Sequence, residues 1–327
     1  MKLLLIVFLF SAVLSVILGY LSIPLLKKLK VGQTILSYVE EHKSKNGTPT
    51  MGGLFFVLSA IIVFLVFAKT DLYISIVCIS IILAFLIVGF IDDYIKIKTK
   101  NNQGLTAGQK LIFQISISII ASVFAYKNGF DFLYLPFTKT TIYLGLGSIV
   151  LNFFVFIATV NGVNLTDGLD GLSANVSLIV LLALAVIISL QTTFNGISYI
   201  NITEYKNLIT LAVCLGASVF GYLVFNTNKA SVFMGDTGSL ALGGGIASIS
   251  VFSGNTLYIP IIGICFVVSA LSVIIQVLHY KRTKKRVLLM APFHHHLQHK
   301  GFSESKITFW YLFVTVIISI IVIIFLV

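Results

Sequence analysis

Charged residues are scarce in this sequence. Only 10% of its 327 residues are Asp, Glu, Lys or Arg, whereas 58% are hydrophobic and the mean hydropathy is +1.05. An average soluble domain is about 25% charged, so the composition excludes a soluble globular protein and indicates an integral membrane protein. The net charge of +11 suits anionic lipid headgroups and anionic substrates. Because so little of the chain is exposed to water, we do not expect nucleic acid as a partner.

Cysteine is also nearly absent. The three residues, Cys78, Cys214 and Cys265, are isolated within apolar stretches, which is typical of small packing residues and not of a disulfide or metal framework. The first apolar run lacks a small-x-small cleavage site before a mature soluble domain. We therefore expect it to remain as a first transmembrane helix instead of being removed as a secretory signal.

Long apolar runs take the place of charge. Ten of them are long enough, or nearly so, to cross about 30 Å of hydrocarbon as helices, and their continuity favours helices over the alternating strands of a barrel. The sequence therefore predicts an all-α, polytopic membrane protein of about ten transmembrane helices, with residues 1–327 as a single domain. The predicted spans cover residues 3–24, 51–69, 71–91, 110–127, 141–160, 173–190, 207–225, 238–254, 257–279 and 307–327.

The few charges are distributed unevenly between the two faces. Seventeen of the 22 basic residues lie in the connections after predicted spans 1, 3, 5, 7 and 9. The positive-inside rule therefore places these connections in the cytoplasm and both termini on the extracytoplasmic side. Eight of the 11 acidic residues lie on the same face. Cations and carboxylates on one face are what an anion-handling metal site needs, so we expect the active site there.

One polar stretch, residues 161–172, interrupts two apolar runs with the sequence Asn-Gly-Val-Asn-Leu-Thr-Asp-Gly-Leu-Asp-Gly-Leu. Ionisable groups at the edge of a bilayer are costly and usually functional. Asp167 and Asp170 have the i, i+3 spacing that places two side chains on one face of a helical turn, and Asn161 and Asn164 repeat it. A plain polar loop between two helices is the alternative. Because the stretch contains no Lys or Arg, we expect it to recognise a neutral uridine or sugar and not to form the metal centre.

The Asp92-Asp93 pair ends the third predicted span. Adjacent carboxylates repel each other unless a cation or basic side chain lies between them and their neighbours. Mg²⁺ prefers one or two carboxylates together with substrate phosphates, so the pair suits a phosphate-handling magnesium site. An interfacial helix cap is the alternative. Lys110, which opens the next span, is a candidate phosphate contact or an ordinary snorkelling lysine.

The other cytoplasmic motifs each have two interpretations. Residues 45–53, Lys-Asn-Gly-Thr-Pro-Thr-Met-Gly-Gly, can present backbone N–H groups to an anion, or simply begin a helix. Phe233 can stack on a base or anchor its loop in the membrane interface, and Asp236 can bind a metal or cap a helix. The three histidines 294–296 lack the partners of a zinc site, so phosphate contact and proton transfer suit them better.

Taken together, and in chain order, these motifs resemble the polyprenyl-phosphate N-acetylhexosamine-1-phosphate transferases over the whole chain. The motifs are GTPTMGG (47–53), the Asp92-Asp93 pair, NGVNLTDGLDGL (161–172), FMGDTGS (233–239) and APFHHH (291–296). The resemblance implies UDP-N-acetylmuramoyl-pentapeptide and undecaprenyl phosphate as substrates, UMP as a product, Mg²⁺ as the cofactor and a homodimer in a bacterial plasma membrane. The three histidines are what separates this branch from relatives that transfer N-acetylglucosamine-1-phosphate.

The resemblance also implies residue roles. Asp236 is expected to bind the magnesium, and Phe233 to stack on uracil. The implied catalytic residues are Asp92, Asp93, Asp236, His294, His295 and His296. The implied substrate-binding residues are Lys45, Thr50, Lys110, Asn161, Asp167, Asp170, Asn226 and Phe233. Where the family has an acidic residue two positions after the third histidine, this chain has Gln298, which leaves the charge of that loop open.

Two alternatives to this function remain at the sequence level. A transferase of the same family that uses UDP-N-acetylglucosamine is the nearer one. A secondary transporter is the alternative from another class, but transporter ion sites tend to lie near the bilayer midplane. Here the carboxylates cluster at predicted helix ends, which favours an enzyme at the membrane surface.

Overall fold

The computed structural model describes residues 1–28, 47–68, 70–99, 103–138, 140–194 and 202–327. Within these ranges the chain is mostly helical, with one short β-hairpin and a 3₁₀ turn at Thr256–Tyr258. The elements are α1 (Lys2–Lys28), α2 (Gly53–Phe67), α3 (Tyr73–Thr99), α4 (Ala107–Lys127), β1 (Phe132–Tyr134), β2 (Thr141–Tyr143), α5 (Gly147–Thr166), α6 (Leu172–Phe194), α7 (Ile202–Asn226), α8 (Gly235–Phe252), α9 (Ile259–Ile262), α10 (Ile264–Thr283), α11 (Phe293–His299) and α12 (Glu304–Ile324).

Eight helices in the described part of the chain are long and apolar enough to cross a membrane: α1, α3, α4, α5, α6, α7, α10 and α12. A multi-pass membrane protein is therefore confirmed. Two of the ten predicted spans fall short of this standard. Helix α2 has only 15 residues, about 22 Å at 1.5 Å per residue. Helix α8 has Asp236 in its first turn and carries several glycines in place of larger apolar side chains.

The all-α prediction is wrong at residues 132–143. β1 and β2 pair in antiparallel register, with Leu133 opposite Ile142. The predicted helix over 141–160 therefore begins only at Gly147, after β2. The run Thr-Ile-Tyr at 141–143 consists of β-branched and aromatic residues, which suit a strand, but a short apolar run cannot be told from a helix start by hydropathy alone.

Two predicted boundaries also change. Helix α5 continues to Thr166, so the stretch 161–172 is half helical and its connection to α6 begins only at Asp167. The predicted span 257–279 is broken at Gly263, where α9 ends and α10 begins. The polar end of α5 therefore projects its side chains from a rigid element and not from a loop.

The helices divide into an inner and an outer group. In the most apolar 18-residue stretch of each helix, the share of residues buried inside the protein is 89% for α7 and 72% for α6. The share is only 22% for α4 and for α10. The outer helices expose large apolar side chains such as Ile120 and Leu278, which is appropriate for surfaces that meet lipid. Helices α6, α7 and α8 form the buried centre.

Glycines bring α8 close to α2 and α3. A side chain at Gly53 of α2 would overlap the backbone of Gly238 in α8, and one at Gly89 of α3 would overlap the backbone of Asp236. Small residues permit such close approach of transmembrane helices. Gly89 lies one turn before Asp92 and Asp93, so this contact places the acidic end of α3 against the first turn of α8.

Candidate active site

Three carboxylates meet where α3 and α8 cross. Asp92 and Asp93 come from α3, Asp236 comes from the first turn of α8, and one oxygen from each lies within 4.8 Å of the others. Asp92 and Asp93 are buried, while Asp236 is partly exposed. Carboxylates this close repel one another unless cations are interposed. The structure therefore brings together three residues that the sequence assigned to the active site, and their roles stay predictions.

Two lysines neutralise most of this charge. The Lys96 Nζ lies 2.5 Å from Asp92 Oδ2, 2.9 Å from Asp236 Oδ2 and 3.7 Å from Asp93 Oδ1. The Lys110 Nζ lies 2.5 Å from Asp236 Oδ2 and 3.6 Å from Asp92 Oδ2. Lys110 was a predicted site residue, whereas Lys96 was not. The sequence feature that could have identified Lys96 is its position one helical turn after the Asp pair, because side chains at that spacing on a helix contact each other.

Each carboxylate of the α3 pair has one oxygen held by a protein donor. The Leu105 N–H donates to Asp92 Oδ1 at 2.9 Å. The Thr237 N–H and hydroxyl both donate to Asp93 Oδ2, at 2.9 and 2.7 Å. The other oxygen of Asp93, Oδ1, accepts no hydrogen bond from the described residues. Such donors orient a carboxylate so that its free oxygen faces the cluster.

Asn164 provides the corresponding contact for Asp236. Its side-chain amide donates to Asp236 Oδ1 at 2.7 Å and to the Ser239 hydroxyl at 2.8 Å. Asn164 repeats the i, i+3 spacing with Asn161, but the sequence pattern predicted no role for it. The expectation that residues 161–172 stand apart from the metal centre is therefore wrong at Asn164. The helical end of α5 brings this side chain to the acidic cluster.

Asp167 follows the last residue of α5 and is partly exposed. Burial, followed by repulsion from Asp236 and Asp93 and then Asp170, raises the pKa of Asp167 to about 8. The carboxyl is therefore electrostatically coupled to the acidic cluster. In the absence of a bound cation, a substantial share of it is protonated near neutral pH.

Asp170 and Asn226 hold two connections together. The Asn226 side chain accepts from the Gly171 N–H at 3.0 Å and donates to the Val232 carbonyl at 2.9 Å. Asp170 Oδ2 accepts from the Ala230 N–H at 3.1 Å. Both side chains are buried. They join the α5–α6 connection to the α7–α8 connection and so set the walls of the site.

The motif at residues 47–53 also borders the acidic cluster. Its backbone pairs with that of Phe233, whose N–H donates to the Pro49 carbonyl at 2.8 Å and whose carbonyl accepts from the Gly52 N–H at 2.9 Å. Thr50 is buried, and its hydroxyl has no hydrogen-bond partner among the described residues. A Cβ at Gly235 would lie 2.6 Å from that hydroxyl and would overlap Asp93, so Thr50 borders the cluster.

Phe233 itself is partly exposed. Lys45, the remaining residue predicted from the first motif, lies outside the described residues.

The three histidines lie on the short helix α11, where His294 and His295 both approach Gly168 and His296 points to Leu289. His294 is fully buried and packs against Gly168 in the α5–α6 connection, where a Cβ would overlap the His294 ring. The same Cβ would lie 3.1 Å from His295 Nε2. Burial, with the nearby His295, lowers the pKa of His294 well below its usual range, so its ring is neutral. Neither nitrogen of that ring has a hydrogen-bond partner in the described part of the chain. His296 instead accepts from the Leu289 N–H at 3.2 Å.

Gln298 connects His295 to an acidic side chain. His295 Nδ1 lies 2.7 Å from Gln298 Oε1, and the Gln298 amide nitrogen donates to Glu304 Oε1 at 3.3 Å. Because the amide nitrogen is turned toward Glu304, its oxygen accepts from His295 Nδ1–H and leaves His295 Nε2 as an acceptor. The departure from the family pattern at Gln298 thus still links this loop to a carboxylate.

Asn161 lies one helical turn before Asn164 and lines an apolar cavity. Its amide donates to Gln114 Oε1 and to the Ile157 carbonyl, both at 2.8 Å. It also lines a cavity of about 530 Å³ between α5 and the α9–α10 segment. The rest of the lining is almost entirely apolar and includes Pro260 and Phe266. The cavity suits a hydrocarbon chain.

Comparison with known proteins adds to this geometry. The sequence profile described as Glycosyl transferase family 4 matches residues 73–254, and the one described as Phospho-N-acetylmuramoyl-pentapeptide-transferase signature 1 matches residues 45–57. Among similar curated proteins, one from Clostridioides difficile is 39% identical over 93% of this chain and 92% of its own length. One from Thermoanaerobacter sp. (strain X514) is 42% identical over 93% of both chains. One from Helicobacter pylori (strain HPAG1) is 41% identical over 87% of this chain and 83% of its own. All three are phospho-N-acetylmuramoyl-pentapeptide-transferases.

Proposed function

Since the chain belongs to glycosyl transferase family 4 and, within it, to the phospho-N-acetylmuramoyl-pentapeptide-transferases, we propose that it makes lipid I. It transfers phospho-N-acetylmuramoyl-pentapeptide from the UDP-linked donor to undecaprenyl phosphate and releases UMP. The observation that carries this proposal is the cluster of Asp92, Asp93 and Asp236 with two lysines. Membership of a transferase family makes the chain an enzyme, which removes the transporter alternative. The named relatives favour the muramoyl-pentapeptide donor over UDP-N-acetylglucosamine.

The acidic cluster fits a divalent cation. Its three carboxylate oxygens lie within 4.8 Å of one another, and Asp93 Oδ1 is oriented but accepts no hydrogen bond from the described residues. Mg²⁺ prefers such oxygen ligands in combination with substrate phosphates. We assign the magnesium to Asp236, with Asp92 and Asp93 as further ligands. When bound, the ion neutralises the charge that develops on the diphosphate.

Phosphoryl transfer asks the protein mainly for positioning and charge neutralisation. In this reaction an oxygen of the lipid phosphate bonds to the phosphorus that carries the sugar. The bond from that phosphorus to the UMP oxygen breaks, and its electron pair leaves with UMP. Lys96 and Lys110 are placed to donate to the diphosphate oxygens. Asp92 takes the proton of the lipid phosphate when that oxygen attacks.

The walls of the site recognise the rest of the donor. Phe233 stacks on uracil. It is partly exposed, and its backbone is fixed by the 49–52 segment. Asp167, Thr50 and Lys45 contact the nucleotide or sugar. Asp170 and Asn226 act by holding the two connections that form the walls.

His294 and His295 face the connection after α5 and serve in phosphate contact and proton transfer. His296 shapes their loop through its bond to the Leu289 N–H.

The apolar cavity between α5 and α10 receives the polyprenyl chain. It is lined by apolar side chains and by Asn161, whose helix also carries Asn164 into the acidic cluster. A lipid phosphate whose tail lies in this cavity has its head near the reacting groups. As the distribution of basic residues predicts, the active site faces the cytoplasm and both termini are extracytoplasmic. The membrane is the plasma membrane of a bacterium. Residues 1–327 act as one domain, and the enzyme is a homodimer.

The test offers purified protein either UDP-N-acetylmuramoyl-pentapeptide or UDP-N-acetylglucosamine, each with undecaprenyl phosphate and Mg²⁺, and follows UMP release. We expect UMP only from the muramoyl-pentapeptide donor, with a lipid-linked diphosphate as the second product. UMP from the acetylglucosamine donor alone would overturn the donor assignment. Full activity in excess EDTA would overturn the magnesium assignment.

A further inference from the structure

The position of the Lys96 ammonium group has a consequence for cation binding. Its Nζ contacts Asp92 Oδ2 at 2.5 Å and Asp236 Oδ2 at 2.9 Å, and lies 3.7 Å from Asp93 Oδ1. These are the three carboxylates assigned above to the divalent cation, so this inference rests on the proposed function. We infer that Lys96 is the built-in counter-ion of the cation-free site, and that a divalent cation binds by displacing its ammonium group from the three carboxylates.

Displacement follows from the limited space around Asp236 Oδ2. This single oxygen is 2.9 Å from the Lys96 Nζ and 2.5 Å from the Lys110 Nζ. Mg²⁺ binds oxygen directly, at about 2.0–2.1 Å, and demands near-octahedral geometry. An ion bonded to the same oxygens would overlap the ammonium group that already lies between them. At least one lysine therefore has to move when the ion binds.

Of the two lysines, Lys96 is the one that we expect to move. It is the one of the two that approaches all three carboxylates, whereas Lys110 approaches Asp236 and Asp92 but makes no ion pair with Asp93 in the described part of the chain. Lys96 is also carried by the same helix as Asp92 and Asp93. Its flexible four-carbon stem lets the ammonium group move while the helix stays in place.

The exchange also changes the charge of the site in a useful way. Three carboxylates and two ammonium groups leave a net charge of −1, which repels a diphosphate. A divalent cation makes the total positive, and the displaced Lys96 ammonium stays tethered within reach of the entering phosphates. Lys96 thus stabilises the empty site and afterwards becomes a substrate contact.

The experiment measures cation binding without turnover. Detergent-purified, metal-stripped protein is titrated with Mn²⁺, and free Mn²⁺ is followed by electron paramagnetic resonance. We compare Lys96→Met with the wild type and with Lys98→Met, which removes the same charge from an exposed position two residues further along α3. Because the competing cation is gone, Lys96→Met should bind Mn²⁺ about tenfold more tightly or better, and Lys98→Met should stay within about twofold.

A second measurement separates competition from a purely structural role. Without metal, the Lys96→Met protein should unfold at a lower temperature than the wild type, because three carboxylates lose their counter-ion, and Mn²⁺ should raise that temperature more than it does in the wild type. Lys96→Arg keeps the charge and should return the Mn²⁺ affinity toward the wild-type value. If Lys96→Met does not fold without metal, Lys96→Gln purified with Mn²⁺ should release the ion to a chelator more slowly than the wild type.

The possible results are distinguishable. An unchanged or weaker Mn²⁺ affinity in Lys96→Met, with normal binding by the wild type, would overturn the exchange and leave the metal site intact. The second result concerns Asp236→Asn. If the wild type binds no Mn²⁺, or if Asp236→Asn binds it as well as the wild type does, the metal assignment of the proposed function is overturned, and the exchange with it.

Discussion

The two ends of α8 each lie in a buried polar network, and the two networks are built differently. At the start of the helix, Asp236 belongs to a cluster of three carboxylates and two lysines. Just beyond its end, Asn255 accepts a hydrogen bond from the Gln191 amide at 2.8 Å and donates to the Ser253 carbonyl and hydroxyl, both at 3.0 Å. Among the residues that the structure describes, the second network consists of amides and hydroxyls and contains no ionised group.

The difference separates a reactive network from a structural one. Neutral amides that bond to each other satisfy buried polar groups at little electrostatic cost. Like charges held within 4.8 Å of one another destabilise the folded state unless a ligand compensates them, and such strain is typical of functional sites. Substitutions at the first end should therefore change activity, and those at the second should change stability.

The largest effect is expected at the charged end, from Asp236→Asn. The substitution keeps the shape of the side chain but removes the charge that both lysines contact and that we assign to the magnesium. We expect turnover to fall at least about a thousandfold, since a metal site supplies several kcal/mol of transition-state stabilisation. UMP release is the measurement, with thermal unfolding as the control for folding. Near-normal turnover would remove Asp236 as a metal ligand.

Asn164→Ala should have the next largest effect. It deletes the 2.7 Å hydrogen bond that orients Asp236 but leaves every charge in place. Loss of an orienting partner typically costs about 10–100-fold in metal affinity or activity, and we expect a loss of turnover in that range. Ser239→Ala removes the second partner of the Asn164 amide, together with the bond from the Ser239 hydroxyl to the Gly235 carbonyl, but keeps the bond from Asn164 to Asp236, so it is the matched control. Equal activities of Asn164→Ala and the wild type would show that Asp236 needs no support from α5.

Asn255→Ala tests the neutral end. It removes a fully buried amide with hydrogen bonds on both of its atoms, so we expect a loss of about 1–3 kcal/mol in the free energy of unfolding. Turnover by the protein that remains folded should stay within about twofold of the wild type, because no reacting group is touched. A large fall in turnover without a loss of stability would contradict the division between the two ends.

Asp167→Asn should produce the smallest effect, a pH-dependent gain in stability, because Asp167 is partly exposed and solvent screens much of the repulsion from its neighbours. The pKa of Asp167 is raised from 3.8 to about 8 in the folded protein, so the folded state favours the protonated form. That contribution is complete below about pH 4 and is lost as the pH rises through about 8. Without metal, Asp167→Asn should therefore match the wild type in unfolding temperature at acid pH and exceed it increasingly toward pH 9. If the unfolding temperatures of the two proteins change with pH in parallel, the folded state does not disfavour the ionised form of Asp167.

The site was partly predictable from sequence. Asp92, Asp93, Asp236 and Lys110 were expected at one site, and the structure brings them together. Lys96 was not expected, although it lies one turn from the Asp pair, because a lysine at a helix end is usually an anchor in the membrane interface.

Thr237 and Asn164 were also missed as site residues. Thr237 contacts Asp93 across 144 positions of the chain, and Asn164 contacts Asp236 across 72. No local pattern reports contacts at such separations.

The fold was predictable to a similar degree. The apolar runs correctly indicated a multi-pass helical protein, since a backbone in hydrocarbon must satisfy its own hydrogen bonds and helices do so locally. The hairpin at 132–143 and the break at Gly263 were missed. Both depend on packing against other elements, which hydropathy does not record.

The sequence by itself determined that this chain lies in a membrane, that its polar motifs collect at helix ends, and that they have the chemistry of a diphosphate site. These properties follow from the cost of placing charge in hydrocarbon, which each residue bears wherever the chain folds. Only the tertiary structure decided which charges meet. The close approach of α2 and α3 to α8 at Gly53, Gly89 and Gly238 places Lys96 among three carboxylates. That arrangement depends on the shapes of helices far apart in the chain.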